Sequence, residues 1–423
     1  MASSHNFAGL DIGSSFIRVV VAQKDEVSSK PRVIGLGTAP SAGLRRGLIV
    51  DADEVAKVAA RAIEDAERMA DTSIDKVYVA VGGAHISALP SRGVVAVARA
   101  DGRIGEEDVN RVIDAAQAIA LSQNREIIHA IPKEFRVDGE GGMKNVVGMS
   151  GVRLEVDSVL ITGASPFLRN LERVLEMLDL RPQEFIPSSI ATARAVLTPR
   201  HKELGVMLLD IGGTTTDIAV FEEGSCMHVS VIPIGGAHIT NDIAIGLKTS
   251  LDVAERIKND FGSALPSSIT KRDIINVADL DPRESGEFSR KAVAEIIEAR
   301  LEEIFDLANE ELKKIERSRM LPAGVVISGG TAALPGILEL AKKSFRLPTQ
   351  LGYAADLDGA DLGNAFSLGS ALGLILLAAD AQSQKGPGSF KLPNIAWGGT
   401  KAIGGRTSSG GDKIKRFLKS LLP

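Results

Sequence analysis

The sequence predicts an α/β protein built from two similar lobes, with a small α+β module inserted in the first lobe and an amphipathic helix at the C-terminus. Three observations predict it. One pattern occurs twice: an apolar strand, then Asp-Ile-Gly, then small or hydroxyl residues, then a second apolar strand. It stands at residues 9–20 (GLDIGSSFIRVV) and again at 208–220 (LLDIGGTTTDIAV). A third glycine stretch, residues 325–336 (VVISGGTAALPG), reads as a strand, a Gly329-Gly330 turn and a helix start. The chain closes on DKIKRFLKSLL, residues 412–422, with a single apolar face. Repetition of a whole unit points to a duplicated body.

Each repeated stretch reads as a hairpin, because two apolar runs flank a short glycine turn. Glycine lets backbone approach a ligand, and successive N–H groups in such a turn form a concavity suited to anions. Hydroxyls at Ser14, Ser15, Thr214, Thr215 and Thr216 add donors, and the carboxylates of Asp11 and Asp210 suit a hydrated cation. Two facing hairpins would close on one phosphate chain from both sides. Taken alone, DIGG is also compatible with an ordinary tight hairpin. The chain has no Walker A loop and no strand-linked G-x-G-x-x-G, which removes the main support for a P-loop or Rossmann protein.

Length and charge narrow the class. The 423 residues suffice for two to four domains, and a net charge of −5 argues against bulk nucleic-acid binding. The charge is unevenly spread. From Ala381 onward the chain has eight basic residues and one Asp, so this tail carries +7 and the body −12. One cysteine, Cys226, excludes an internal disulfide framework and fits a reducing cytosol. The first residues lack the pattern of an export signal, and the longest apolar run, 371–379, is too short to span a bilayer.

In order, the first lobe is expected over 1–82 and again over 163–200. It contains the first hairpin, a strand at 32–38, a helix at 53–70 with Asp51 or Asp53 near its cap, and a buried strand at 76–82. The inserted module, 83–162, has a strand near 93–99, a helix at 106–121, a strand near 126–130 and another at 153–162. Nothing in it resembles a catalytic cluster, and its lone His85 and His129 read as packed or surface residues. Helices at 168–180 and 188–197 follow, the second rich in small residues that allow close packing.

The second lobe, 201–380, holds the central hairpin, a strand at 231–236 and helices at 239–247 and 251–261. A long helix near 289–315 ends its outer helical part, about 240–315. The strand at 325–328 and a small-residue helix at 369–376 close it. Residues 381–411, rich in Gly, Ser, Pro, Lys and Gln, read as a flexible linker. In the final segment, 412–423, Ile414, Phe417, Leu418, Leu421 and Leu422 fall at i, i+3, i+4, i+7 and i+8. Lys413, Lys415, Arg416 and Lys419 flank them, which is the pattern of a helix lying on an anionic membrane surface. Docking on protein is the other reading.

The order of these stretches resembles the FtsA division family within the actin-like ATPase superfamily. The stretches GLRRGLIVDADEVAKVAARAIEDAERMA, GMSGVRLE, ELGVMLLDIGGTTTDIAVFEEG, VIPIGGAHITNDIA and VVISGGTAALPG carry the resemblance, which covers nearly the whole chain. It implies the two-lobed, duplicated ribonuclease-H-like fold, with ATP and Mg²⁺ held between the lobes. On matching positions Asp11 and Asp210 would orient the metal through water, while Gly13, Ser14, Ser15, Gly212, Gly213, Thr214 and Thr215 would hold phosphates. Glu255 and Lys258 would reach the ribose or base, although a solvated i, i+3 pair is the plainer reading. Gly329, Gly330 and Thr331 would flank the adenosine. Lys291, Arg300 and Glu303 lie on the long helix where the family receives the C-terminal peptide of FtsZ.

The implied function is a polymerising adaptor that anchors FtsZ filaments to the cytoplasmic face of the membrane at the division site. Later division proteins would bind the inserted module. Two departures bear on this. Hydrolytic relatives place Glu or Gln near the start of the helix that begins here at Ser188, but only Glu184 lies nearby, so ATP binding is expected with weak or absent turnover. The stretch 145–148 also lacks a proline expected before GMSG. The alternatives are a pilus-assembly adaptor resembling PilM, which lacks the basic terminal anchor, and an actin-fold phosphotransferase or hydrolase, for which no further catalytic carboxylate stands out.

Overall fold

The computed structural model describes residues 4–25, 30–270, 272–354, 356–358 and 365–383. The predicted terminal helix, with Lys413, Ile414, Lys415, Arg416, Phe417, Leu418, Lys419, Leu421 and Leu422, lies outside them. Lobe one opens with a meander of β1 (Ser4–Ile12), β2 (Phe16–Asp25) and β3 (Arg32–Pro40). The short pair β4 (Leu44–Arg45) and β5 (Leu48–Ile49) leads to α1 (Ala52–Ala70). Asp51 caps this helix, its carboxylate accepting from the Glu54 N–H at 3.0 Å. β6 (Lys76–Val81) then runs parallel to β1.

The inserted module comprises β7 (Ser87–Ala96), α2 (Glu106–Gln117), β8 (Arg125–Val137), β9 (Glu140–Met143) and β10 (Arg153–Ala164). Lobe one resumes with α3 (Ser165–Met177), β11 (Arg181–Pro187) and α4 (Ser188–Val196). After α5 (Pro199–Leu204), lobe two repeats the plan with β12 (Val206–Ile211), β13 (Thr216–Glu222) and β14 (Ser225–Ile232). An outer helical part follows: α6 (Gly236–Leu247), α7 (Leu251–Phe261), the pair β15 (Ile274–Asn276) and β16 (Glu287–Ser289), and α8 (Arg290–Lys314). β17 (Gly324–Ser328), α9 (Ile337–Phe345), β18 (Thr349–Leu351) and α10 (Gly369–Ser383) complete the described chain, α10 running into the stretch read as linker.

The sheets show the duplication directly. Lobe one has strand order β3-β2-β1-β6-β11 and lobe two β14-β13-β12-β17-β18. In each, the first three strands are antiparallel and the last two are added parallel. The module's strands continue lobe two's sheet past β14, through the single pair Ser230–Ser87.

β12 explains how the lobes are welded. It is buried on both faces, as strands covered on two sides are, and so reads as a nearly continuous apolar run. Its alternate residues serve two cores. Val206 and Leu208 join the core of lobe one, while Met207, Leu209 and Ile211 pack with α6, α7, α8 and α9. α4 lies on β12 and β13 of lobe two, whereas α10 lies on β1, β2 and β6 of lobe one, so each lobe's last helix packs on the other's sheet. The two helices cross at Gly373, where a Cβ would fall 1.8 Å from the Ala191 carbonyl oxygen.

Some elements differ from the sequence expectation. α2 stops at Gln117 rather than Leu121, and the Ile119 N–H turns back to the Gln117 carbonyl at 2.8 Å. β8 continues past Ala130 through Pro132 to Val137, with an irregular register against β10 beside that proline. β11, absent from the sequence reading, is an edge strand with a register shift between Pro182 and Glu184.

Candidate functional site

The two repeated turns are built alike and face each other. The Gly13 N–H bonds the Phe16 carbonyl at 3.2 Å, and the Gly212 N–H bonds the Thr215 carbonyl at 2.9 Å. The carbonyl oxygens are taken up by neighbours: Ser41 Oγ donates to Gly13 O at 2.5 Å, and the Gly236 and Ala237 N–H groups at the head of α6 donate to Gly212 O and Gly213 O at 2.9 and 2.7 Å. The turns touch where Thr214 Oγ1 donates to Ser14 Oγ at 2.7 Å. The turns are also close at Gly213, where a Cβ would stand 2.1 Å from Ser15 Oγ and the serine hydroxyl would have to turn away.

Around this contact opens a cleft of about 620 Å³ lined by both turns, by Asp11 and Asp210, and by Gly329, Gly330 and Thr331 of the third glycine stretch. Glu255 and Lys258 line it from α7. Of the phosphate-binding residues expected from sequence, Thr214 alone is not in the lining; its hydroxyl is spent on the contact between lobes. Lys258 Nζ donates to Thr240 Oγ1 at 2.8 Å, to Glu255 Oε2 at 2.6 Å and to Gly236 O at 3.3 Å. Burial raises the pKa of Glu255, but the bonds from Lys258 and Thr240 outweigh it and leave the carboxyl lower than usual.

The hairpin register brings in two residues that the sequence reading missed. Asp11 sits opposite Arg18, and at the equivalent place in lobe two Asp210 sits opposite Asp217. Both partners line the cleft. Like charges directly opposite each other are destabilising, so the three carboxylates cannot all ionise freely. Desolvation raises the Asp11 pKa while Arg18 opposes it. Asp210 is pushed up to about 6, by desolvation first; the bond from Thr192 Oγ1 at 2.8 Å lowers it and the charge of Asp11 raises it. Asp217 is raised well above its ordinary value by desolvation, then by Asp210 and Asp11.

This donor set fits a cation held through water. Among the described residues no three His, Cys, Asp or Glu side chains are grouped closely enough to coordinate a metal directly. The cleft nevertheless concentrates three carboxylates whose repulsion a cation would relieve. Ser370 Oγ, in the same lining, lies against Asp11 and lowers that carboxyl's pKa, as Arg18 does.

Other expected residues lie elsewhere. Arg300 on α8 is bound by Asp242 in two bonds of 2.6 and 2.9 Å and also by Glu303. Lys291 Nζ stands 4.0 Å from Glu295 Oε1. Glu184 lines a different, smaller cavity, while Ser188 at the head of α4 lines the cleft. His85 is packed, stacked on Phe167 with centroids 5.2 Å apart, and His129 is buried.

Comparison with known proteins places this geometry in a family. The family model for the cell division protein FtsA matches residues 207–369, and the one for the SHS2 domain inserted in FtsA matches 83–162. The cell division protein FtsA of Pseudomonas aeruginosa is 38% identical over 384 residues, which cover 90% of this chain and 91% of that protein. The chain belongs to the FtsA family of cell division proteins. The Bacillus subtilis FtsA is 40% identical over 342 residues, 81% of this chain and 77% of that one.

Solved structures agree on the fold of this FtsA-family chain. A chain of the PilM-PilN type IV pilus biogenesis complex matches with a TM-score of 0.60 at 15% identity, covering 88% of this chain and 98% of that one. MreB5 of Spiroplasma citri bound to ADP matches with a TM-score of 0.52 at 14% identity, covering 90% and 99%. At such identities the likeness speaks for the fold alone, which is the two-lobed actin-like ATPase fold with an SHS2 insertion.

Proposed function

We propose that this chain is an ATP-binding, polymerising adaptor that ties FtsZ filaments to the cytoplasmic face of the membrane at the division site and recruits later division proteins. The observation that carries the reading is the alignment with an FtsA over 90% of the chain. The cleft between two matched glycine turns supports the nucleotide part, as does the fold it shares with MreB5, whose solved structure holds ADP. In this reading the turns at Gly13–Ser15 and Gly212–Thr215 cradle phosphates, Glu255 and Lys258 meet the ribose or base, and Gly329, Gly330 and Thr331 flank the adenosine. Asp11 and Asp210 orient Mg²⁺ through water; the metal, when bound, neutralises phosphate charge.

Turnover is weak or absent in this reading. Ser188 and Ser189 occupy the head of α4, and Glu184 points its chemistry into another cavity. Lys291, Arg300 and Glu303 form the FtsZ-peptide surface, where an acidic peptide competes with Asp242 for Arg300. The inserted module serves later division proteins. The basic C-terminal segment, 412–423, supplies the membrane contact. One such segment binds lipid reversibly, and a polymer of many copies converts it into firm attachment.

Co-sedimentation with anionic lipid vesicles in Mg-ATP, with and without FtsZ, tests the reading. The full chain should pellet and bring FtsZ with it, and a chain ending at Gly411 should stay in solution. If both forms stay soluble, the segment docks on protein and the adaptor reading fails.

A further inference from the structure

A second cavity lies away from the cleft, where the inserted module meets both lobes. It measures about 180 Å³. β8 of the module contributes His129 and Ile131, β11 of lobe one contributes Glu184, the strands β13 and β14 of lobe two contribute Phe221 and Cys226, and α10 contributes Leu377. The walls are thus mostly apolar, and one end is polar. His129 is only 4% exposed, and its Nε2 stands 4.0 Å from Glu184 Oε1, too far for a direct hydrogen bond.

Size and chemistry restrict what fits. At ~30 Å³ per water the space holds roughly six waters, about the volume of one substituted six-membered ring. Nucleotides and drug-sized ligands occupy pockets of roughly 300–1,000 Å³, and a helix is about 10–12 Å across, so neither enters. A single hydroxyl oxygen placed ~2.8 Å from both Nε2 and Oε1 bridges the gap between them. Burial drives the imidazole of His129 down to about 4, so the ring is neutral and can donate to or accept from a hydroxyl, and burial also raises the carboxyl of Glu184.

The location gives the site leverage. Near it the module is held to lobe two by few bonds: Lys144 Nζ to Ser225 Oγ at 2.6 Å, Ser225 Oγ to Lys133 O at 3.0 Å, and the Ser230–Ser87 pair. A molecule filling the cavity touches the module, both sheets and α10 at once. We propose that this junction cavity binds a small ring alcohol or phenol, its ring against Ile131, Phe221 and Leu377 and its hydroxyl between His129 and Glu184, and that occupancy fixes the module against the two lobes. The site is separate from the nucleotide cleft and does not depend on how that cleft is read.

Cys226 provides the reporter. It is the one cysteine in the chain, forms part of the cavity wall and is 2% exposed, and burial pushes its thiol up to about 12. A thiol reagent therefore reaches it only through the cavity and only when the surrounding wall moves aside. With the full-length protein, saturating phenol should slow labelling of Cys226 at least fivefold, and benzene should need roughly tenfold higher concentration for the same protection. In His129→Leu the advantage of phenol should disappear while benzene still protects, which shows that the cavity has survived the substitution. Phenol should also slow hydrogen exchange at least threefold around Ser87 in β7. Unchanged labelling with both probes, equal protection by the two, or an undiminished phenol advantage in His129→Leu would each overturn the site. Unchanged exchange at β7 would overturn its coupling to the module.

Discussion

Asp210→Asn should stabilise the nucleotide-free protein while weakening its hold on a metal-bound nucleotide. The Asp210 carboxyl faces Asp217 across the hairpin, shares its cleft with Asp11, and titrates at about 6 instead of 3.8. Between those two values the folded chain binds a proton that the unfolded chain does not. Stability therefore falls as pH rises through this window and stays reduced above it. A shift of that size corresponds to about 3 kcal/mol, and water in the open cleft screens it to roughly 1.5–3 kcal/mol. Asparagine cannot ionise, and its Oδ1 can still accept from Thr192 Oγ1. The two proteins should melt alike near pH 4. At about 2.1 cal/mol/K per residue over this long a chain, the variant should melt roughly 2–3 °C higher at pH 7.5. Binding of a fluorescent nucleotide with Mg²⁺ should weaken in the same variant. An equal melting gap at both pH values, or a variant that melts lower at pH 7.5, would refute the argument that this cleft stores carboxylate repulsion.

Three further outcomes follow from the packing. Gly373→Val forces α4 and α10 apart at the Ala191 carbonyl, at a cost of about 1–3 kcal/mol, so the melting temperature should drop by about 1–3 °C; an unchanged value would mean that the crossing yields without strain. Lys258→Ala removes the ammonium that organises Thr240, Glu255 and Gly236 O, and nucleotide affinity measured by calorimetry should fall roughly tenfold, about 1.4 kcal/mol. Arg194 holds Asp380 at 2.7 and 3.2 Å and Asp356 at 3.1 Å, beside the place where the Val33 N–H bonds Asp358 O at 2.9 Å. In Arg194→Ala, exchange of the Val33 amide should speed up at least fivefold, and no change would show that the 356–358 segment holds to β3 without Arg194.

The repeated hairpins were legible because their apolar runs, glycines and carboxylates all lie within a dozen residues. The helix at Leu251–Phe261 was legible in full from its spacing. What escaped was set by contacts distant in sequence or by residues that argue against their own structure. β11 carries two prolines and two charges in seven residues and becomes a strand only because β6 offers an edge. Thr214 looked like its hydroxyl neighbours, and only the approach of Ser14 from the other lobe takes it out of the lining. Asp217 and Arg18 could have been found. A tight turn that pairs Ile211 with Thr216 must pair Asp210 with Asp217, and pairing Ile12 with Ile17 must place Asp11 against Arg18.

That difference between the repeats gives the cleft its direction. With Arg18 opposite Asp11, lobe one balances a carboxylate with a cation; with Asp217 opposite Asp210, lobe two does not. The unbalanced charge lies in the lobe whose carboxylate is tied to α4 through Thr192, and α4 is the helix that lobe one lends to lobe two. Ser370, on the helix lent the other way, lines the same cleft. Any change in the ionisation of Asp210 therefore acts on a bond between α4 and the sheet of lobe two. α4 and α10 meet without room for a methyl group at Gly373, so a shift of one must move the other. The same α10 carries Leu377 into the junction cavity beneath the inserted module. Charge in the cleft and the seat of the module are thus connected through two crossed helices, and the tightness of that crossing determines how much of one reaches the other.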